Sequence, residues 1–206
     1  MVSFDTASED LENEIGIRHD GVDRFEQVFE LSLRRFLENL SDDISVETLE
    51  NTPHRFLKAL KEQTDGYGQD PVKLLSKTFV SDCDDLVVIR DIPFNSLCMH
   101  HGMPFWGQVD IGYIPNGKIA GLSKFPRAVQ ALAHRLQVQE HLTMQIRCAI
   151  DVALEPLGVG VRVNAIHSCM KCRGVKSTGR MITSCLSGVL RSVDAARAEF
   201  FSLLEG

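Results

Sequence analysis

"GVGVRVNAIHSCM", residues 158–170, is the stretch that decides the fold. Val159, Val161, Val163 and Ala165 alternate with Gly160, Arg162 and Asn164, so one apolar face recurs at every second residue. That is the period of a strand buried on one side, not of a helix. The stretch closes on His167 and Cys169, two apart at the strand end, a spacing that sends both side chains to one face.

Working outward, "GRMITSCLSG" (179–188) reads as an antiparallel neighbour and "RSVDAARAEFFSLL" (191–204) as a closing helix. Upstream, "LVVIRDI" (86–92) and "FWGQVDIGYI" (105–114) have strand composition with Pro and Gly between them. "GKIAGLSK" (117–124) is a short strand running into a helix, in which Phe125, Val129, Leu132 and Leu136 form an apolar stripe. "EHLTMQIRCAIDVALEP" (140–156) is a second helix, with Leu142, Ile146 and Ile150 one turn apart.

The N-terminal part is different in texture. Residues 1–20 are acidic and polar and read as a loose arm, and Asp20–Asp23 as a helix start. From there Phe25, Val28, Phe29, Leu33 and Phe36 recur at helical spacing. A further helix opens at "NTPHRFLKALKE" (51–62), with Thr52 as N-cap and Pro53 at the first helical position, and a short piece lies near "DPVKLLSK" (70–77). The expected architecture is therefore α+β, in one domain over 21–206. Residues 21–80 form its helical part and 84–206 an antiparallel sheet backed by two consecutive helices.

Composition limits function. Of the 206 residues, 44% are hydrophobic and 24% charged, ordinary globular values. No apolar run approaches a membrane span and no signal-like core opens the chain, which points to a cytoplasmic protein with no membrane partner. A net charge of −6 with no long Lys/Arg stretch argues against a nucleic-acid binder. Six cysteines in a chain of this length read as buried thiols or ligands rather than a disulfide framework.

The candidate chemistry sits in two places. In "NSLCMHHGMPFWGQ" (95–108), Cys98 and His101 are three apart with Gly102 behind them, able to converge on one ion if the chain turns. The signal is weak alone, but "HSCMKCRG" (167–174) adds Cys169. Two cysteines and a histidine make a three-ligand zinc site with a fourth position for water, the catalytic form. His100 and His167 would remain as imidazoles able to move protons near neutral pH. The same segment carries Cys172, which as a fourth ligand would make the zinc purely structural; a redox C-x-x-C is the other competing reading.

Arg55 with Lys58, and Lys124 with Arg127, are cationic pairs at helix starts on polar faces. They are candidate anion receptors, although solvated helix faces look the same. Gln139 and Glu140 open a helix, where Glu140 is either a first-turn acid or an acceptor for a guanine-like edge.

Four segments, "NTPHRFLKAL", "CMHHGMPFWGQVDIGYIP", "GLSKFPRAVQALAHRLQVQEHLT" and "HSCMKCRGV", together resemble the GTP cyclohydrolase I family, from about Asp20 to the C-terminus. The resemblance implies a tunnelling fold, a toroidal homodecamer with active sites at subunit interfaces, and conversion of GTP and water to 7,8-dihydroneopterin triphosphate and formate. It implies that Cys98, His101 and Cys169 bind Zn2+, that His100 and His167 transfer protons, and that Ser123 assists at the ribose. Ser123 is by its position equally an N-cap. It further implies that Gln139 and Glu140 hold the guanine and that Arg55, Lys58, Lys124, Arg127 and Arg173 hold the triphosphate. One residue departs from the family's Cys-Glu-His-His: Met99 stands where the glutamate belongs, and a thioether can neither raise imidazole basicity nor orient water. This leaves two alternatives beside full turnover, a variant that stops at a ring-opened formamidopyrimidine and a non-catalytic GTP-binding homologue.

Overall fold

A computed structural model describes residues 24–205. The arm expected over 1–20 and the helix start at Asp20–Asp23 lie outside them. Contacts within the chain define two compact units, one ending at Glu62 and one running from Gln63 onward.

The first unit is a helix pair, α1 (Arg24–Glu38) and α2 (Val46–Glu62). Phe29 stacks on Phe56 at 6.1 Å, Glu30 meets His54 at 3.1 Å and Glu26 pairs with Lys61. α2 starts earlier than the sequence suggests. Ser45 Oγ accepts the Thr48 N–H at 3.2 Å, so Ser45 rather than Thr52 marks the start, and Pro53 lies buried inside the helix. Pro53 lacks the N–H that would satisfy the Leu49 carbonyl. "VETLENTPHRFLKALKE" is helix-compatible on both sides of the proline, and a proline at N1 is the commoner arrangement, hence the misreading.

The second unit is the α+β structure expected. A 3-10 turn (Asp65–Gly68) leads to α3 (Pro71–Leu75), capped by Asp70, whose Oδ1 accepts from Val72 N at 2.9 Å and Lys73 N at 3.2 Å. β1 (Thr78–Val80) pairs only with β4 (Lys118–Ala120). β2 (Val87–Cys98) and β3 (Pro104–Ile114) form a hairpin, and β6 (Gly158–His167) and β7 (Met181–Ser187) extend it. The two-residue β5 (Leu136–Gln137) runs parallel to the end of β2, giving the order β5-β2-β3-β6-β7. "LVVIRDI" is thus the first half of one long strand reaching Cys98, bent at a bulge where Asp91 takes φ 59°.

One sheet face carries Val109, Ile111, Val159, Val161, Val163 and Ala165. It packs against Phe125, Val129 and Leu132 of α4 (Lys124–Ala133) and Leu142, Ile146 and Ile150 of α5 (Gln139–Leu154). Leu136, expected as the fourth member of the α4 stripe, is not in that helix. α4 ends at Ala133, and Leu136 is in β5, 41% exposed. The other face is covered by the C-terminal α7 (Gly188–Ser192) and α8 (Asp194–Ser202) through Leu190 and Phe200, with Leu204 just beyond α8. Gly112 and Gly160 sit opposite each other in β3 and β6, and Phe200 lies over both. A Cβ on Gly112 would stand 2.5 Å from its Cδ2. Among the described residues no helix is long and apolar enough to cross a membrane.

Candidate active site

The site forms at one end of the sheet, where the end of β2 and the end of β6 flank the start of β3. Phe105 pairs with His167 and Ser96 with Phe105 in register, so the segments after Cys98 and after His167 leave the sheet side by side. Beyond Cys98 the chain turns sharply. The Cys98 N–H donates to Met103 O at 2.8 Å, Gly102 N–H to Cys98 O at 2.8 Å, and Gly102 adopts φ 63°, which a side chain would resist. The turn brings Cys98 Sγ to 3.5 Å from His101 Nδ1.

Beyond His167 the chain enters a single helical turn, α6 (Ser168–Lys171), held down where Ser168 Oγ donates to the Pro104 carbonyl. Cys169 is carried on that turn toward Cys98. One ligand atom each of Cys98, His101 and Cys169 lies within 4.8 Å of the others, and no second such group exists among the described residues. The expectation that His167 and Cys169 share one strand face is corrected by this turn: His167 is the last residue of β6, and Cys169 already belongs to the helix.

The donor set fits a divalent, borderline-soft ion. Cys98 is buried, and burial first, then the neighbouring Cys98 sulfur, pushes the Cys169 thiol up, with Arg173 opposing. Two sulfurs this close disfavour ionisation until a cation stands between them, and a bound metal reverses that. Thiolate and imidazole together suit zinc. Cys172 closes the short helix, exposed, and is not among the three converging residues.

Around this centre the other expected residues divide. His100 is exposed, its ring 6.1 Å from that of His101, and Met99 beside it is 50% exposed. His167 is half-buried, stacked on Phe105 at 4.6 Å and 6°, with Nε2 2.9 Å from Gln139 Oε1. Burial pushes its imidazole below the ordinary value, and the Glu140 carboxylate works in the other direction. Gln139 is 1% exposed, while Glu140, the next residue of α5, is exposed.

Ser123 precedes α4 in helical conformation and its hydroxyl makes no cap bond, so the N-cap alternative is not realised; the Lys124 N–H is taken by Gly121 O at 2.8 Å. Lys124 lines a cavity of about 340 Å³ with Gln69, Asp70, Lys73, Leu74 and Lys77. The cavity thus gathers three ammonium groups, two of them, Lys73 and Lys77, unremarked in the sequence although they stand four apart in "DPVKLLSK". Arg127 and Arg173 are exposed. Arg55 and Lys58 belong to the helical unit, where Arg55 Nη1 meets Glu47 Oε1 at 3.0 Å and Lys58 lines a small cavity with Glu26, Glu30, His54, Leu57 and Lys61.

The family described as GTP cyclohydrolase I matches this chain over residues 29–205. GTP cyclohydrolase 1 of Chlorobaculum tepidum is 46% identical over 170 residues, covering 82% of this chain and 76% of that protein. The same-named protein of Campylobacter curvus is 44% identical, covering 87% of this chain and 95% of its own length. That of Saccharomyces cerevisiae is 44% identical over 84% of this chain and 72% of its own.

Proposed function

This chain belongs to the GTP cyclohydrolase I family, and we propose that it converts GTP and water to 7,8-dihydroneopterin triphosphate and formate with Zn2+ held by Cys98, His101 and Cys169. The observation that carries the reading is the convergence of those three ligand atoms at the sheet end, in a chain whose relatives bear that activity in their name. Bound there, the ion supplies Lewis-acid activation of the water that adds to C8 of guanine.

The chain's own residues do the rest. Glu140, exposed at the start of α5, accepts N–H bonds from the guanine edge, charge-assisted contacts worth about 1.5–3 kcal/mol each that adenine cannot reproduce. His167, kept neutral by its burial, takes and returns a proton as the imidazole ring opens, and exposed His100 is the second proton carrier. Ser123, its hydroxyl uncommitted to capping, assists at the ribose during the rearrangement that precedes reclosure. Lys124, Arg127 and Arg173 meet the triphosphate, which explains local cations in a chain of net charge −6.

We place the protein in the cytoplasm as a homodecamer whose active sites are shared between subunits. Exposed apolar side chains such as Val80, Trp106 and Ile182 support burial against further copies. The test is to incubate zinc-loaded protein with GTP and quantify formate alongside the fluorescent pterin obtained after oxidation. Equal amounts establish the full reaction. Formate without pterin moves the reading to a ring-opening hydrolase, with Met99 as its mark. Neither product, with GTP still bound, moves it to a non-catalytic homologue.

A further inference from the structure

We infer that Gln139 is a positioning residue behind His167: its carboxamide oxygen holds the histidine as the Nε2–H tautomer and leaves Nδ1 as the nitrogen that exchanges protons with substrate. The inference rests on the reading of His167 as a proton carrier, and it moves Gln139 away from the guanine contact that family resemblance implies.

The orientation of the Gln139 amide follows from its surroundings. One end faces the main-chain carbonyls of Val163 at 3.1 Å and Met181 at 3.0 Å, with Thr183 Oγ1 at 3.1 Å. Carbonyls only accept, so that end must be the NH2 group; the reverse orientation would set oxygen against two oxygens. The hydroxyls agree. Thr143 Oγ1 donates to Gln139 O at 2.7 Å, which leaves the 2.6 Å Thr143–Thr183 contact to be donated by Thr183, and Thr183 Oγ1 free to accept from Gln139. Every direction in this network is therefore fixed, and bonds aligned in one sense strengthen each other.

The other end of the amide is an oxygen 2.9 Å from His167 Nε2, and an amide oxygen can only accept. Nε2 must carry the hydrogen. Phe105, stacked at 4.6 Å and 6°, holds the ring against tilting, and a half-turn within that plane would set Cε1 in place of Nε2 against Gln139 Oε1 and lose the bond. Nδ1 is left with a lone pair and has no hydrogen-bond partner among the described residues. Gln139 itself is 1% exposed with both amide hydrogens committed to β6 and β7. A guanine edge would have to displace main-chain carbonyls to reach them.

Two measurements test this. The first is a joint neutron and X-ray crystal structure of the full zinc-loaded chain at neutral pD without substrate, which depends on neither GTP nor turnover. A deuteron on His167 Nε2 and none on Nδ1 is expected; a deuteron on Nδ1 alone overturns the proposal. The second is the kinetics of Gln139→Met in zinc-loaded protein. Loss of tautomer control should lower kcat by about ten- to a hundredfold while KM for GTP stays within about twofold. A raised KM with kcat unchanged restores the guanine-contact reading and overturns this one, as does a variant with both constants unaltered. Should Gln139→Met fail to fold, the neutron result decides alone. Absence of formate from the wild type would overturn the cyclohydrolase reading and leave the tautomer assignment standing on its own.

Discussion

The sheet carries two polar clusters that differ in one respect. In its interior, Asp110 Oδ1 accepts the Asp91 N–H at 2.9 Å where β2 bulges, and Oδ2 accepts from Arg162 Nε at 2.9 Å. Arg162 also reaches Leu204 O at 3.3 Å, tying the C-terminal segment to the sheet. Every strong valence of Asp110 is answered from within. At the sheet end, one ligand atom each of Cys98, His101 and Cys169 lies within 4.8 Å of the others, His100 is exposed, and His167 Nδ1 has no hydrogen-bond partner among the described residues. Both clusters are polar and both draw residues from β2 and β6. The lesson is that a closed set of partners marks a group that holds the fold, and an open set marks one that waits for a ligand.

The sharpest way to break this contrast is to remove a ligand. Cys169→Ser should leave less than one zinc per chain and lower formate production by more than about 100-fold, beyond what loss of a supporting partner causes, with the fold intact. Unchanged metal content and rate would mean that the converging residues are not the centre. Asp110→Ala should do the opposite. Removing one partner of a buried pair costs about 3–5 kcal/mol, and since the Arg162 side chain keeps 25% of its exposure the lower end is expected. Urea unfolding would read the loss, while zinc stoichiometry stays at one. Asp110→Leu with Arg162→Met should regain most of it, since an apolar pair of similar volume is often neutral. Loss of zinc in either variant would mean that the two clusters are coupled.

The same contrast explains what could be read in advance. Alternation in 158–167 gave an interior strand, and helical spacing placed Phe125, Val129 and Leu132 in the core, because period and burial are local properties of the chain. The three residues that converge, Cys98, His101 and Cys169, were legible from their spacing together with the resemblance of four segments. The turn that joins them shows itself only through Gly102, and Cys169 was placed on the wrong element because one helical turn of four residues leaves no periodicity to read. Leu136 fell in with the α4 stripe because β5 is two residues long and exists only by pairing with the end of β2. The Gln139 network joins residues up to 44 apart, through backbone carbonyls that have no signature in any sequence.

Met99 tests the open cluster more gently. It stands half-exposed between Cys98 and His100, its N–H donated to Gln137 O at 3.0 Å, so an acidic side chain of similar length can be accommodated there without disturbing the core. Met99→Glu should raise the rate of formate release by up to about tenfold, since a carboxylate can orient water and raise the basicity of an adjacent imidazole. An unchanged rate would mean that the site has adapted to the thioether, with another group supplying what the glutamate does.

The smallest expected effect lies in the pH dependence of folding. Burial lowers the His167 pKa in the folded chain, Glu140 opposing, whereas in the unfolded chain the group titrates near the ordinary value of about 6.5. As pH falls through that value the unfolded state takes up a proton first, so stability drops until the lowered folded pKa is reached, and it is full above the unfolded one. Zinc-free protein isolates this from ligand protonation. Its unfolding free energy should fall between about pH 7 and pH 5, and His167→Gln should lose less over the same range. An equal loss in the variant would assign the slope to other groups and would mean that the ring trades its solvent contacts for Phe105 and Gln139 without cost. A larger loss in the wild type would show that a half-buried imidazole of the open cluster carries a stability cost that Asp110, answered on both oxygens, avoids.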